Sequence, residues 1–402
     1  MLMIAALAIG VTACSDDNEG DDPKGPATTN FNVRARGGNV LVTLATSDYA
    51  IDIPADAAAW VGQSEQSEGG VVGLTVEPNA TGAERQTTVT LSAKTTLETL
   101  AYMKIKQSGE SDVDSGDFVI EEIFYTSNTL PETGEPDMWY GDQYIKIRNN
   151  TDHDLYADGM LIIGSMLNSG QNFSFYEGED FRPEYCATDD IYCIPGSGND
   201  VLVKAGASLV ICNNAQNHKA NNPNSFDLTT ADFEWFNEST NENYLDIDNP
   251  AVKNLDIWYT STLTVFILHS RGYQCYAIAM PPAGMTKETF LKDYTLTGRY
   301  IYSWSNAAGS GSFDKTIKDT YKVPNAWVLD AVNTAIPSNY VASPWHSSLD
   351  AGYTYCLENP DDATAYGLSV RRKTGTDGKL VDTNNSTNDF TPRATPSLKT
   401  GK

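Results

Sequence analysis

The sequence predicts an all-β protein built as two consecutive β-sandwiches, the second larger, with long insertions and a few short helices. Three observations point there. Between Asn30 and Gly109, short stretches of alternating polarity recur about every ten residues, separated by Gly and Asn turn chemistry. Beyond Asp117 the apolar runs become continuous, as in strands buried on both faces. Helix signals are sparse throughout.

In the first region the strands are Val40–Leu44, Val71–Val76, Thr87–Leu91 and Ala101–Lys106. Gly37-Gly38, Gly69-Gly70 and Asn79-Ala80-Thr81-Gly82 supply the turns between them. Residues 110–116 read as a linker by composition. The second region opens with Phe118–Tyr125, then Gln143–Arg148, a turn at Asn149-Asn150-Thr151, and Met160–Ile163. Ser208–Cys212, Thr262–Leu268 and Tyr273–Ala279 are its later strands. Two segments read as helical: Leu228–Phe236, capped by Thr229-Thr230, and Thr286–Tyr294, which places Phe290, Leu291 and Tyr294 on one side. Pro324–Val332 fits either a helix or a strand.

The amino terminus carries a different message. Met1 to Val11 is mostly apolar, Thr12 and Ala13 are small, and Cys14 follows. That run is too short to span a bilayer, which takes roughly 18 residues or more, and reads as a signal segment, residues 1–13. It resembles the bacterial lipoprotein signal, which implies that the Cys14 thiol is acylated and becomes the first residue of the processed chain. The acidic run Ser15–Asp22 then begins a solvated tether over residues 14–29. An acidic segment directly after the lipidated cysteine resembles the export signal of Bacteroidetes surface lipoproteins. The resemblance implies a lipid-anchored protein of the outer membrane, exposed at the cell surface.

The charge balance narrows the partners. With 53 acidic and 27 basic residues in 402, the net charge is −26. Such a chain is repelled by nucleic acid and by anionic lipid. Membrane attachment therefore rests on acyl chains, each buried methylene contributing about 0.8 kcal/mol.

Two family resemblances extend the reading. Trp60, Glu77-Pro78-Asn79, Arg85 and the closing Ile105-Lys106-Gln107-Ser108-Gly109 are similar to the Bacteroidetes-associated carbohydrate-binding often N-terminal (BACON) domain, over residues 30–109. That likeness implies an immunoglobulin-like sandwich that contacts glycan or acts as a spacer. Residues 117–402 resemble a lamin-tail domain with insertions. The matching segments are Val119–Ile123, Tyr144–Asn150, Leu155–Met160, Lys204-Ala205-Gly206, Gly367–Arg372, Asp382–Ser386, Asp389-Phe390 and Ala394-Thr395-Pro396. Together they resemble a family of uncharacterised surface lipoproteins, which implies location and fold more than chemistry.

No catalytic motif stands out. There is no Gly-x-Ser-x-Gly, no His-Glu-x-x-His and no phosphate-cradling loop, and His153, His218, His269 and His346 are scattered. Acidic pairs such as Glu121-Glu122 and Asp361-Asp362 are expected by chance in so acidic a chain. No catalytic residue is assigned, and the chain is expected to be non-enzymatic. In Tyr300-Ile301-Tyr302-Ser303-Trp304 a strand would put Tyr300, Tyr302 and Trp304 on one face, suited to stacking on sugar rings, with Asn306 beside them for hydroxyls. Packing of that row into the core is the competing reading. Trp139 and Tyr140, in a Pro/Gly-rich loop, form a second aromatic candidate. Asp246, Asp248 and Asn249 offer hard oxygen ligands for calcium, against an ordinary Asx turn; no other cofactor is indicated. Cys186 and Cys193 flank a polar hexapeptide that a disulfide would close, with reduced buried thiols as the alternative.

The expected function is thus a surface lipoprotein that binds glycan or host polymer. A structural subunit meeting an outer-membrane protein partner is the alternative, and a polysaccharide hydrolase comes third.

Overall fold

The computed structural model describes residues 26–79, 81–109, 113–138, 140–239, 241, 246–262, 264–306 and 309–400. Residues 1–25, and with them Cys14 and most of the tether, lie outside the described residues, as does Trp139.

The protein is all-β. In the first unit, Ala27–Val33, Thr99–Gln107, Arg85–Ser92 and Ala50–Asp52 form one sheet in that order, and Gly38–Thr43, Val71–Val76 and Val61–Gln63 form another. Alternation decides which side chains go in. In Gly38–Thr43, Val40 and Val42 are buried while Leu41 and Thr43 are half-buried, and Val72, Leu74 and Val76 face them from the paired strand. Phe31, Val89, Leu91, Met103 and Ile105 complete this core. One end is closed by the residues that carried the first resemblance. The Arg85 guanidinium sits 4.4 Å from the Trp60 ring centre, donates to Gln107 Oε1 at 2.8 Å and reaches the Glu77 carbonyl at 2.8 Å.

The second unit packs a seven-stranded sheet on a six-stranded one. The first runs Lys253–Asn254, Phe233–Glu234, Ser208–Cys212, Tyr144–Asn149, Phe118–Phe124, Ser369–Arg372 and Phe390–Ala394. The second runs Asp256–Thr260, Tyr185–Cys193, Leu161–Ser165, Tyr276–Ala279 and Val328–Val332, and Tyr321–Pro324 pairs with the first half of Tyr185–Cys193. Between them lie Ile120, Ile145, Ile147, Ile162, Ile278, Val332, Val370 and Phe390. The far face of the six-stranded sheet is also covered: Leu161, Ile163, Ile191, Ala277 and Ala279 pack with Phe290 of the helix Lys287–Asp293, and with Trp258 and Trp345. Burial on both faces explains the uninterrupted apolar runs.

This helix lies within the predicted Thr286–Tyr294 segment, and Thr286 caps it through the Thr289 N–H. Leu228–Phe236 is not helical. Phe233, Glu234 and Trp235 are buried one after another, and Phe233–Glu234 pairs in parallel with Ser208–Cys212, which a one-sided helix would not permit. Among the described residues of 262–268 there is no strand. That segment instead gives backbone partners to side chains: the Trp235 indole donates to Phe266 O at 3.2 Å and Gln143 Nε2 to Leu268 O at 2.9 Å. Pro324–Val332 resolves into a short 3-10 turn, Asn325–Trp327, followed by a strand.

The disulfide expectation is corrected. Cys186 and Cys193 are free and buried, and both lie on the strand Tyr185–Cys193. Seven residues of extended chain separate their Cα atoms by about 23 Å, whereas a disulfide tolerates at most about 7 Å. Burial raises both thiols above their ordinary range, so neither is reactive.

Candidate functional site

The aromatic row lies on a hairpin that leaves the main sheets. Asn172–Phe175, Gly298–Asn306 and Gly309–Ile317 make a three-stranded antiparallel sheet. Its register places Phe175, Tyr300 and Lys315 side by side, then Phe173, Tyr302 and Phe313, then Trp304 and Gly311. The sequence-predicted face therefore exists, and two neighbouring strands extend it.

The two ends of this face behave differently. At its base, Phe173, Phe181, Leu296 and Ile317 are buried with Leu167, and Phe175 and Tyr300 pack against them. Arg182 lies 5.4 Å from the Phe173 ring centre and 5.1 Å from that of Phe175. Tyr300 is accordingly part of this packing. Further out, Tyr302 stacks on Phe313 with ring centres 6.4 Å apart and planes 14° from parallel. Tyr302 and Trp304 are half-buried, and Phe313 is 52% exposed. Gly311 seats the indole: a Cβ there would lie 2.9 Å from Trp304 Nε1. Lys315 reaches over Phe313 at 5.6 Å. Asn306 ends the strand and pairs with Gly309, and its side chain is outside what is described.

Phe313 and Gly311 were missed from sequence. The signal was present in the alternation of Gly309-Ser310-Gly311-Ser312-Phe313, a few residues after the aromatic segment. Tyr140 does not join this site. It belongs to the approach to the strand Tyr144–Asn149, where its hydroxyl meets Met138 Sδ at 3.4 Å and its carbonyl accepts from Asn213.

The calcium candidates are engaged otherwise. The Asp246 carboxylate accepts from the backbone of Asn237 at 2.8 Å and from Asn214 Nδ2 at 2.5 Å. Asp248 Oδ1 accepts from Asn254 Nδ2 at 2.8 Å. Asn249 Oδ1 accepts from the Ala251 N–H, and Asn249 donates to Ala215 O and Glu234 Oε1. These residues clasp the short parallel strands together. Among the described residues, no group of three or more His, Cys, Asp or Glu is placed to hold a metal ion.

The acidic pairs divide similarly. Glu121 pairs with Lys146 at 3.0 Å, while buried Glu122 accepts from the Ser369 hydroxyl and the Ser397 N–H. Asp362 accepts from the Thr364 hydroxyl, the Glu358 N–H and Arg393, and against the opposing effect of burial these contacts take its carboxyl down to about 2. His218 is buried with its Nε2 2.9 Å from Asn214 O. His269 lies outside any strand, and burial lowers its pKa, favouring the neutral ring.

Residues 204–397 match the family DUF4876, a protein family of unknown function. A crystal structure of a DUF4876 family protein from Bacteroides thetaiotaomicron is similar over 92% of this chain and 95% of that one, with 18% identity and a TM-score of 0.53. At that identity the likeness speaks to fold. A Bacteroides ovatus GH5 xyloglucanase in complex with a XXXG heptasaccharide matches 27% of this chain and 21% of that chain at 24% identity, with a TM-score of 0.17 that carries no argument. No curated protein matches.

Proposed function

We propose that this chain is a non-enzymatic, lipid-anchored surface protein that captures glycan on the outer half of its aromatic hairpin. The observation that carries the reading is the division of one aromatic face into a packed base and a partly exposed outer end, Tyr302, Trp304 and Phe313. Aromatic rings held flat on a sheet can cover the C–H face of a pyranose, gaining dispersion and apolar burial without a deep cleft. A polar group is close by, since Lys315 reaches over Phe313 on the same face.

Anchoring at Cys14, the acidic tether and the BACON-like and lamin-tail-like assignments belong to the same reading. The test is a glycan array with the purified chain, repeated with Trp304→Ala. Binding that falls at least tenfold, about 1.4 kcal/mol, with an unchanged melting temperature supports the reading. No bound glycan, or equal binding by the variant, refutes it. Metabolic labelling with a palmitate analogue, lost on Cys14→Ala, tests the anchor separately.

A further inference from the structure

A second recess lies near the foot of the hairpin sheet. Its volume is about 340 Å³, and Gln171, Asp189, Asp190, Ser261, His269 and Gln274 are among the residues lining it. It falls at the small end of ligand clefts, which span about 300–1,000 Å³. Gln171 immediately precedes the first strand of the aromatic sheet.

Asp189 is placed there by an irregularity in the ladder. Gly164 pairs with Asp190 and Ser165 with Thr188, so Asp189 is the extra residue of a β-bulge. On its other edge the same strand changes partner at this residue: Tyr185–Thr188 pair with Tyr321–Pro324, and Asp190–Cys193 with Asp256–Thr260. Bulges re-aim side chains, and this one turns a carboxylate toward the cleft.

The two acids differ in what holds them. Asp190 is fully engaged by Thr260 Oγ1 at 2.9 Å, the Ser261 N–H at 3.2 Å and Gln274 Nε2 at 3.2 Å. Asp189 has no partner among the described residues beyond its own backbone N–H. Burial, reinforced by the neighbouring charge of Asp190, pushes its carboxyl up to about 7. Tyr259, on the strand paired with Asp190–Cys193, and Tyr300, at the base of the aromatic sheet, have pKa values raised first by burial and further by the charge of Asp189. His269, across the cleft, accepts from the Arg271 N–H at Nδ1 (3.3 Å), which leaves its proton on Nε2 as a donor. Among the described residues, no lysine or arginine lines the recess. A half-buried carboxylate without a cation, beside a second carboxylate, lacks one complement: a positive charge brought in by the ligand. No metal cluster forms here among the described residues.

We propose that this cleft binds a glycosyl residue bearing a protonated primary amine, the ammonium pairing with Asp189 and the ring hydroxyls meeting Gln171, Ser261 and His269. The inference rests on the glycan-capture reading and names its charged subsite. Uronic and other acidic sugars are excluded by the same carboxylates.

The experiment is calorimetric titration of the full chain with glucosamine, glucose and glucuronate, and with chitosan oligomers, between pH 5 and 7. Glucosamine binds at least tenfold tighter than glucose at pH 7, and glucuronate does not bind. The glucosamine affinity rises from pH 5 to 7, by at most about fiftyfold, as a carboxyl titrating near 7 ionises. Asp189→Asn abolishes both the preference and the pH dependence. In a carboxyl-detected NMR titration of the wild type, saturating glucosamine lowers the Asp189 midpoint, a shift that a purely structural carboxyl would not show. Equal binding of glucose and glucosamine, or an Asp189→Asn variant that keeps the preference, overturns the proposal. If neutral glycans still bind and still require Trp304, the hairpin reading survives that failure. If no glycan binds at all, both fall.

Discussion

Arg372 ties the two sheets of the larger unit together, and its removal gives the sharpest stability test. It lies at the end of the strand Ser369–Arg372 in the seven-stranded sheet, while its nearest carboxylate, Asp330, belongs to Val328–Val332 in the six-stranded one. The Nη2–Oδ2 separation is 2.5 Å, and both side chains are 1% exposed. Asp382 and Asp389 approach the same guanidinium at 3.2 and 3.7 Å. Its remaining N–H groups donate to Ile120 O at 2.9 Å and Val381 O at 3.0 Å, and the group lies 4.6 Å from the Phe390 ring centre. At an effective dielectric near 20, the nearest pair alone attracts by about 7 kcal/mol. Desolvation of the charges offsets much of that, so the measurable quantity is the cost of leaving the acids behind. For Arg372→Met that cost is about 3–5 kcal/mol, or about 10 °C in melting temperature for a unit of this size. Burial already pushes Asp330 up to about 7, against the pull of Arg372. In the variant Asp330 can take up a proton in acid, so the loss is smaller at pH 5 than at pH 8. Arg372→Met combined with Asp330→Leu recovers part of the loss, because the principal buried charge is then gone. Urea denaturation at both pH values measures this. A loss below about 1 kcal/mol, or a greater loss in acid, would refute the assignment of Arg372 as the neutralising tie.

Three further outcomes are expected. Gly311→Val drives a side chain into the space of the Trp304 indole, 2.9 Å from the Cβ position, so the Trp304 indole resonance shifts and glycan binding falls at least tenfold while the melting temperature changes by less than about 3 °C. Asp189→Asn stabilises the protein. The folded-state pKa is raised from 3.8 to about 7, so the wild type loses stability as pH climbs through that window, by at most about 4 kcal/mol above it. Melting curves should show a gain that grows between pH 4 and 7 and levels off beyond; a drop at pH 8 would contradict it. Thiol alkylation under denaturing, non-reducing conditions modifies Cys186, Cys193, Cys212, Cys275 and Cys356 alike, whereas native protein leaves these buried thiols unmodified. Protection of Cys186 and Cys193 alone after denaturation would restore the disulfide.

Period-two patterning carried most of the architecture into view. Ser208–Cys212 and Val71–Val76 are strands with the boundaries their sequence suggests, because turn residues bracket them and their neighbours bury both or alternate faces. The helix at Lys287–Asp293 was legible for a local reason as well: Phe290, Leu291 and Tyr294 recur on one side. The segments that misled were those whose role is set at a distance. Leu228–Phe236 looks capped and apolar, yet Trp235 is fixed by a hydrogen bond to Phe266, thirty-one residues away. The hexapeptide between Cys186 and Cys193 looks like a polar loop because Thr188, Asp189 and Asp190 interrupt it. In the fold it is a central strand whose polar positions fall at a bulge.

That bulge shows why the hairpin could be anticipated and the cleft could not. An aromatic every second residue is a one-dimensional pattern, and any strand will project it onto one face. The cleft depends on a single residue being extra relative to a partner strand, and on the two edge partners of that strand diverging at the same point. Pairing partners are a property of the closed sheet, so Asp189 is indistinguishable in sequence from the other acidic residues of the chain. What separates it is the absence of any partner among the described residues beyond its own N–H: Asp330 has Arg372, Asp362 has Arg393, and Glu122 and Asp190 have hydroxyl and amide donors, whereas Asp189 has the charge of Asp190 beside it. A carboxyl kept unpaired at a ladder defect lowers stability above neutral pH, and recognition of an amine would turn that cost into binding energy. The stability measurement on Asp189→Asn and the titration with glucosamine therefore examine the same charge from two sides. A variant that gains stability and loses amine binding together would show that the bulge is kept for its ligand.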